Sequence, residues 1–87
     1  MDTQKIKQQK ILLGRIDELC QEKNYSYYIL SCKSGIPLST LMNIMNGTSK
    51  NPSIFSIFKI CVGLEISLKD FFDTEDFEKL FIECEEE

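Results

Sequence analysis

Histidine is missing from this chain altogether, and glycine and proline are scarce, at four and two of 87 residues. Without histidine no Cys2His2 zinc site can be assembled. Cys20, Cys32, Cys61 and Cys84 stand far apart, with no CxxC pair to build a four-cysteine site, so no metal is expected and no cofactor. In the absence of a secretory signal the same four residues read as buried, reduced thiols rather than as two disulfides. No apolar run approaches the roughly 18 to 20 residues that cross a bilayer, and residues 1–10 are polar, without the apolar centre of a signal peptide. A cytoplasmic protein with no membrane partner is expected. A phosphate-cradling glycine loop and an inward-pointing carboxylate pair are also missing, so neither acid-base nor nucleophilic chemistry can be assembled and an enzyme is not expected.

Acid is missing from one long stretch. The net charge of -4 argues at first against a nucleic-acid partner, which usually meets a basic surface. Its distribution argues the other way. Residues 1–60 carry eight Lys or Arg against four Asp or Glu, and residues 61–87 carry two against ten. Between Glu22 and Glu65 no acid occurs, so Lys23, Lys33, Lys50 and Lys59 face no local competition for phosphate.

What is present is helical periodicity. At 43% hydrophobic, a chain of this length suits one compact core. Leu12, Leu13, Ile16, Leu19 and Cys20 recur at three- and four-residue spacing over residues 7–23, with Arg15, Asp17, Glu18 and Glu22 on the outer side. Asn24 breaks that helix, Ser26 caps a second over residues 27–34, and Gly35 closes it in a left-handed turn. Ile36 and Pro37 lead into a third over residues 38–46, closed by Gly47. Asn51 as cap and Pro52 as first-turn proline open a fourth that runs to about Gly63, with Ile54, Ile57, Phe58 and Cys61 inward. Ser67 caps a fifth over residues 68–72, and Thr74 a sixth whose stripe is Phe77, Leu80, Phe81 and Cys84. No alternating run is long enough for a sheet. The expected fold is all-α, a compact bundle of five to six short helices, with residues 1–73 as the main domain and residues 74–87 as an acidic carboxyl-terminal helix packed on it or extending it.

The second and third helices meet the needs of a helix-turn-helix: a small residue at the crossing, a glycine in the turn and apolar residues locking one helix on the other. Ser31, Gly35 and the set Leu30, Ile36, Leu41 and Ile44 fill those places. Leu13, Ile16, Leu19, Ile57, Phe58, Leu64 and Ile66 complete the expected core. Tyr25, Tyr27 and Tyr28 raise the prospect of stacking on single-stranded bases, but Tyr25 reads as a core staple with the other two exposed. Phe55 points outward, as a dimer contact or as one exposed apolar residue.

Residues 26–72, SYYILSCKSGIPLSTLMNIMNGTSKNPSIFSIFKICVGLEISLKDFF, resemble the characteristic run of the lambda-repressor-like, Cro/repressor-type (XRE) helix-turn-helix regulators, and residues 15–24 are similar to the family's first helix. The resemblance implies sequence-specific binding of double-stranded DNA by a small transcriptional regulator, a repressor, acting as a homodimer with residues 38–46 in the major groove. It implies base contacts from Leu38, Ser39, Met42 and Asn43, and contacts to the DNA backbone from Ser26, Tyr27, Thr48, Lys50 and Asn51. Asn43 suits adenine, Ser39 several base edges, and Leu38 or Met42 a thymine methyl, so A·T-containing steps are favoured. The chain departs from the family at four places. Cys20 and Met45 stand where an arginine and a glutamate commonly pair, Tyr27 where a glutamine is frequent, and Glu65 where many members have glycine. No ligand domain is evident. A competing expectation is a protein-interaction module, an antitoxin or antirepressor, that keeps the scaffold but binds DNA weakly.

Overall fold

The computed structural model describes residues 3–85, with side chains over residues 6–83. Among the described residues it contains six helices and no strand: α1 (Thr3–Lys23), α2 (Tyr27–Ser34), α3 (Leu38–Met45), α4 (Ile54–Leu64), α5 (Leu68–Phe72) and α6 (Glu75–Glu85). None is long and apolar enough to cross a membrane.

Short side chains set the starts. Ser26, Ser53, Ser67 and Thr74 each accept a hydrogen bond from the amide three residues on, which satisfies one of the unpaired donors of a helix's first turn. The ends use left-handed residues. Gly35 (φ 71°) closes α2 and returns its amide to the Ser31 carbonyl at 3.0 Å. Asn24 (φ 58°) ends α1, an accepted place for asparagine. Glu65 (φ 57°) ends α4 in the same conformation, which glycine adopts without the steric cost.

The core comes from five of the six helices: Ile16, Leu19 and Cys20 of α1, Leu30 of α2, Leu41 and Ile44 of α3, Ile57, Ile60, Cys61 and Leu64 of α4, and Phe71 of α5, with Ile36 between α2 and α3. α2 packs most extensively on α4, and Gly63 makes this possible. A Cβ there would lie 2.3 Å from Ser34 Oγ and 2.9 Å from the Ser34 amide nitrogen. The close approach has a cost: Ser34 Oγ is buried with no hydrogen-bond partner. Leu80 of α6 is buried too, and a Lys7–Glu83 ion pair at 2.6 Å joins α6 to α1.

Several sequence expectations are corrected here. α1 begins at Thr3, because its polar first turns are good helix formers even though apolar periodicity starts later. The cap of α4 is Ser53, not Asn51, and Pro52 precedes the helix. Ile54 and Phe58 are 57% and 49% exposed rather than inward, because the buried face runs through Ile57, Ile60, Cys61 and Leu64. Cys32 is exposed, since α2 turns Leu30, Ser31 and Ser34 inward and leaves position 32 on the far side. Phe81 is exposed while Phe77 packs against the core; the side chain of Cys84 lies outside the described residues. Arg15 is drawn in rather than solvated, donating to the carbonyls of Asp70 and Phe71 at 2.9 and 2.8 Å and so capping the end of α5.

Candidate nucleic-acid interface

α3 is short, and its two faces are distinct. Leu41 and Ile44 are buried and Met45 packs beside them, so the helix is fixed on one side. A 3.6-residue period then places Leu38, Ser39, Met42 and Asn43 together on the other side, all exposed. These are the four residues expected to meet base edges. Their chemistry is mixed: two apolar tips for methyl groups, one hydroxyl, and one amide able to donate and accept together.

Past the helix, Gly47 (φ 85°) turns the chain and its amide bonds to Ile44. The next amides are held internally, Thr48 N by the Asn46 side chain at 3.0 Å and Ser49 N by the Asn43 carbonyl at 2.8 Å. This leaves Thr48, Lys50 and Asn51 exposed on a loop whose path is fixed. Sequence periodicity gave no sign of a further support. Gln9, on the early turns of α1, donates from Nε2 to the Gly47 carbonyl at 3.3 Å, tying the loop to the first helix. A long polar side chain on a helix is ordinarily solvated, and nothing in its spacing marks such a partner.

At the start of α2 the two expected backbone contacts differ. The Ser26 hydroxyl accepts from the Ile29 amide at 3.2 Å as a cap. The Tyr27 ring is half-buried rather than exposed, and its hydroxyl donates to Asp17 Oδ1 at 3.0 Å. Burial first, and that bond to a carboxylate second, raise the Tyr27 phenol above its ordinary range. Its proton is therefore committed inside the domain. Tyr28, 64% exposed, is the open ring of the three.

The electrostatics agree with the charge map of the sequence. Among the described residues no ion pair holds Lys23, Lys33, Lys50 or Lys59, although Lys33 lies over the Tyr25 ring at 5.3 Å. Cys20 and Cys61 are buried, and desolvation raises both thiols, so neither offers a thiolate at neutral pH.

Residues 15–76 match the family model of the Cro/C1-type HTH DNA-binding domain. The chain belongs to this family. Over 65 residues it is 37% identical to the HTH-type transcriptional regulator SlrR of Bacillus subtilis (strain 168), a match that covers 74% of this chain and 43% of SlrR. The chain thus spans less than half the length of that relative. No solved structure gives a significant match. As a Cro/C1-type domain the protein has an all-α, lambda-repressor-like fold, in which α2 and α3 are the helix-turn-helix pair.

The family's departures now have physical content. Cys20 is buried at 2% exposure and Met45 packs against the same core, so two apolar groups occupy the place of an ion pair. Such an exchange strands no charge. The turns of α1 before Arg15 precede the family match, and they include both Gln9 and Lys7.

Proposed function

We propose that this Cro/C1-type domain binds double-stranded DNA sequence-specifically as a homodimer and acts as a small transcriptional regulator, a repressor, with α3 in the major groove. One observation carries the reading: Leu38, Ser39, Met42 and Asn43 share the exposed face of a helix anchored from behind, beside a loop that offers Lys50 in a region without acid. In this arrangement the α3 face meets base edges, while Ser26, Tyr27, Thr48, Lys50 and Asn51 border the phosphates. With its hydroxyl held by Asp17, Tyr27 approaches the backbone through its amide and ring edge rather than as a hydroxyl donor. The relative SlrR, named a transcriptional regulator, supports the same assignment. No Arg or Gln stands in α3, so guanine readout is weak and A·T-containing steps are preferred.

The test is selection of random duplex DNA by the purified protein, with affinities remeasured across salt. An enriched sequence whose affinity falls steeply with salt is expected. Absence of enrichment, with weak binding even at low salt, would falsify the proposal. A second reading, a protein-interaction module on the same scaffold, is favoured by Phe81 and Ile82, which stand 62% and 50% exposed on the acidic α6. The same selection separates the two.

A further inference from the structure

The loop after α3 has an outer and an inner edge. Thr48, Lys50 and Asn51 are exposed, while Gly47, Ser49 and Pro52 are half-buried beside α1. The outer edge is the part assigned to phosphate, so where it stands depends on what holds the inner one.

Local bonds supply only part of that hold. The amides of Gly47, Thr48 and Ser49 return to Ile44, Asn46 and Asn43, all at the end of α3 itself. They fold the loop onto its own helix and leave its swing about that helix end open. The bond from Gln9 Nε2 to the Gly47 carbonyl, at 3.3 Å, is of another kind, because it joins residues 38 apart in the chain. Packing does not substitute for it. A cleft of about 230 Å³ lies between Leu12 and Leu13 of α1 and the loop residues Ser49 and Pro52.

α1 has length to spare for this role. The family match starts at Arg15, whereas the helix starts at Thr3, so Gln9 stands on turns that precede the matched domain. On the same turns Lys7 reaches α6 instead, where it pairs with Glu83. Two neighbouring side chains thus tie this stretch of helix to two different parts of the molecule.

We propose that Gln9 is a positioning residue for DNA binding: it holds the Gly47 carbonyl, thereby fixes the outer edge of the loop, and sets Lys50 for its phosphate without touching the duplex itself. The physical gain is preorganisation, since a loop already on its bound path is not ordered again when DNA arrives. The half-exposed Gly47 turns to water when the amide is removed, so folding is little affected and the loop is the place to read the change.

The inference rests on the DNA-binding reading for its consequence, but the brace is measured first without DNA. Amide exchange of Gly47, Thr48 and Ser49 is followed by NMR on the free full chain. Gln9→Met keeps the length of the side chain and loses the donor; it speeds exchange of these amides about threefold or more and leaves those of α2 and α4 unchanged. Gln9→Lys keeps an N–H donor of similar reach and restores their protection. Lys7→Met, on the α6 side, leaves the loop as it is. Loop exchange that ignores Gln9→Met, that Gln9→Lys fails to restore, or that Lys7→Met raises equally overturns the brace.

On the selected duplex, Gln9→Met weakens binding about three- to fivefold. A double-mutant cycle then separates positioning from general loosening. Lys50→Ala weakens binding about fivefold in wild type and less than about twofold beside Gln9→Met, because the lysine has already lost its place; Asn43→Ala has the same effect in both backgrounds. Additive losses with Lys50, or a coupling to Asn43 as large as that to Lys50, overturn the role in DNA binding. If no duplex is selected, it is the DNA reading that fails, and the exchange measurement still decides whether Gln9 holds the loop.

Discussion

Residues 23–64 carry four lysines and no acid, whereas residues 65–87 carry ten acids and two lysines. Both regions are helical and both use hydroxyl caps, yet they spend charge differently. In the first, the lysines are left open to solvent, and α3 and its following loop carry no carboxylate of their own. In the second, three of the acids lie where the backbone itself is favourable to them. Glu75, Asp76 and Glu78 occupy the first turn of α6, beside unpaired amides and the positive end of the helix, and Glu83 holds Lys7. A net charge of -4 is therefore the sum of two regions of opposite charge, and says little about partners by itself.

The regions also differ in packing, and the largest expected effect tests that. Gly63→Ala places a methyl group 2.9 Å from the backbone nitrogen of Ser34, which cannot swing aside as its hydroxyl can, so α2 and α4 must part. A loss of about 1 to 3 kcal/mol is expected in urea or thermal unfolding. Phe81→Ala, at a position 62% exposed on α6, should change stability by less than about 0.5 kcal/mol. Equal losses from the two would mean that α6 is as much a part of the packed unit as the α2–α4 crossing.

Within the lysine-bearing region, base and backbone roles should separate. Asn43→Ala is expected to cost about 1 to 3 kcal/mol at one base step and to relax preference there. Lys50→Ala should weaken all sequences alike and lower the salt dependence by about one phosphate per subunit. Binding titrations on the selected site, a single-base variant of it and unrelated duplex decide the matter. Identical profiles for the two variants would remove the division between α3 and its loop.

How much of this was legible in the sequence depends on what each residue competes with. The bounds of α2 and α5 could be read because Ser26, Gly35 and Ser67 act locally, through one amide or one left-handed turn. The start of α4 could not, because Asn51, Pro52 and Ser53 are three successive starters and only the fold decides which amide is reached. Its buried face was ambiguous for a related reason. All residues of α4 except Ser56, Lys59 and Gly63 are apolar, so periodicity offers two faces, and contact with α2 selects the one through Ile60 and Leu64. For the site, exposure of the α3 face followed from its period. The Gln9 support and the Asp17 partner of Tyr27 did not, since both join residues that only folding brings together.

At the boundary between the regions stands Glu65, left-handed at φ 57° and exposed. Its amide still closes α4 onto Val62, so the turn itself is sound and only the side chain is at odds with the backbone. Glu65→Gly should stabilise the domain by about 1 kcal/mol, read as a higher melting temperature. It also removes the first acid after the lysine-bearing stretch. A gain in DNA affinity without a gain in stability would show that Glu65 acts through its charge instead.

The smallest expected effect bears most directly on the contrast of charge. Glu75→Gln, Asp76→Asn and Glu78→Gln together remove three negative charges from α6 and none from the proposed interface. At about 0.01 M salt, where screening extends roughly 30 Å, DNA affinity should rise about two- to threefold; at 0.15 M, where it extends about 8 Å, the gain should vanish. The variant should also melt slightly lower, because those acids favour the start of α6. The two readouts separate a distant charge from a near one. If the gain in affinity persisted at 0.15 M, the acids of α6 would lie within a Debye length of the bound duplex, and the carboxyl-terminal helix would be a brake on DNA binding rather than a separate surface.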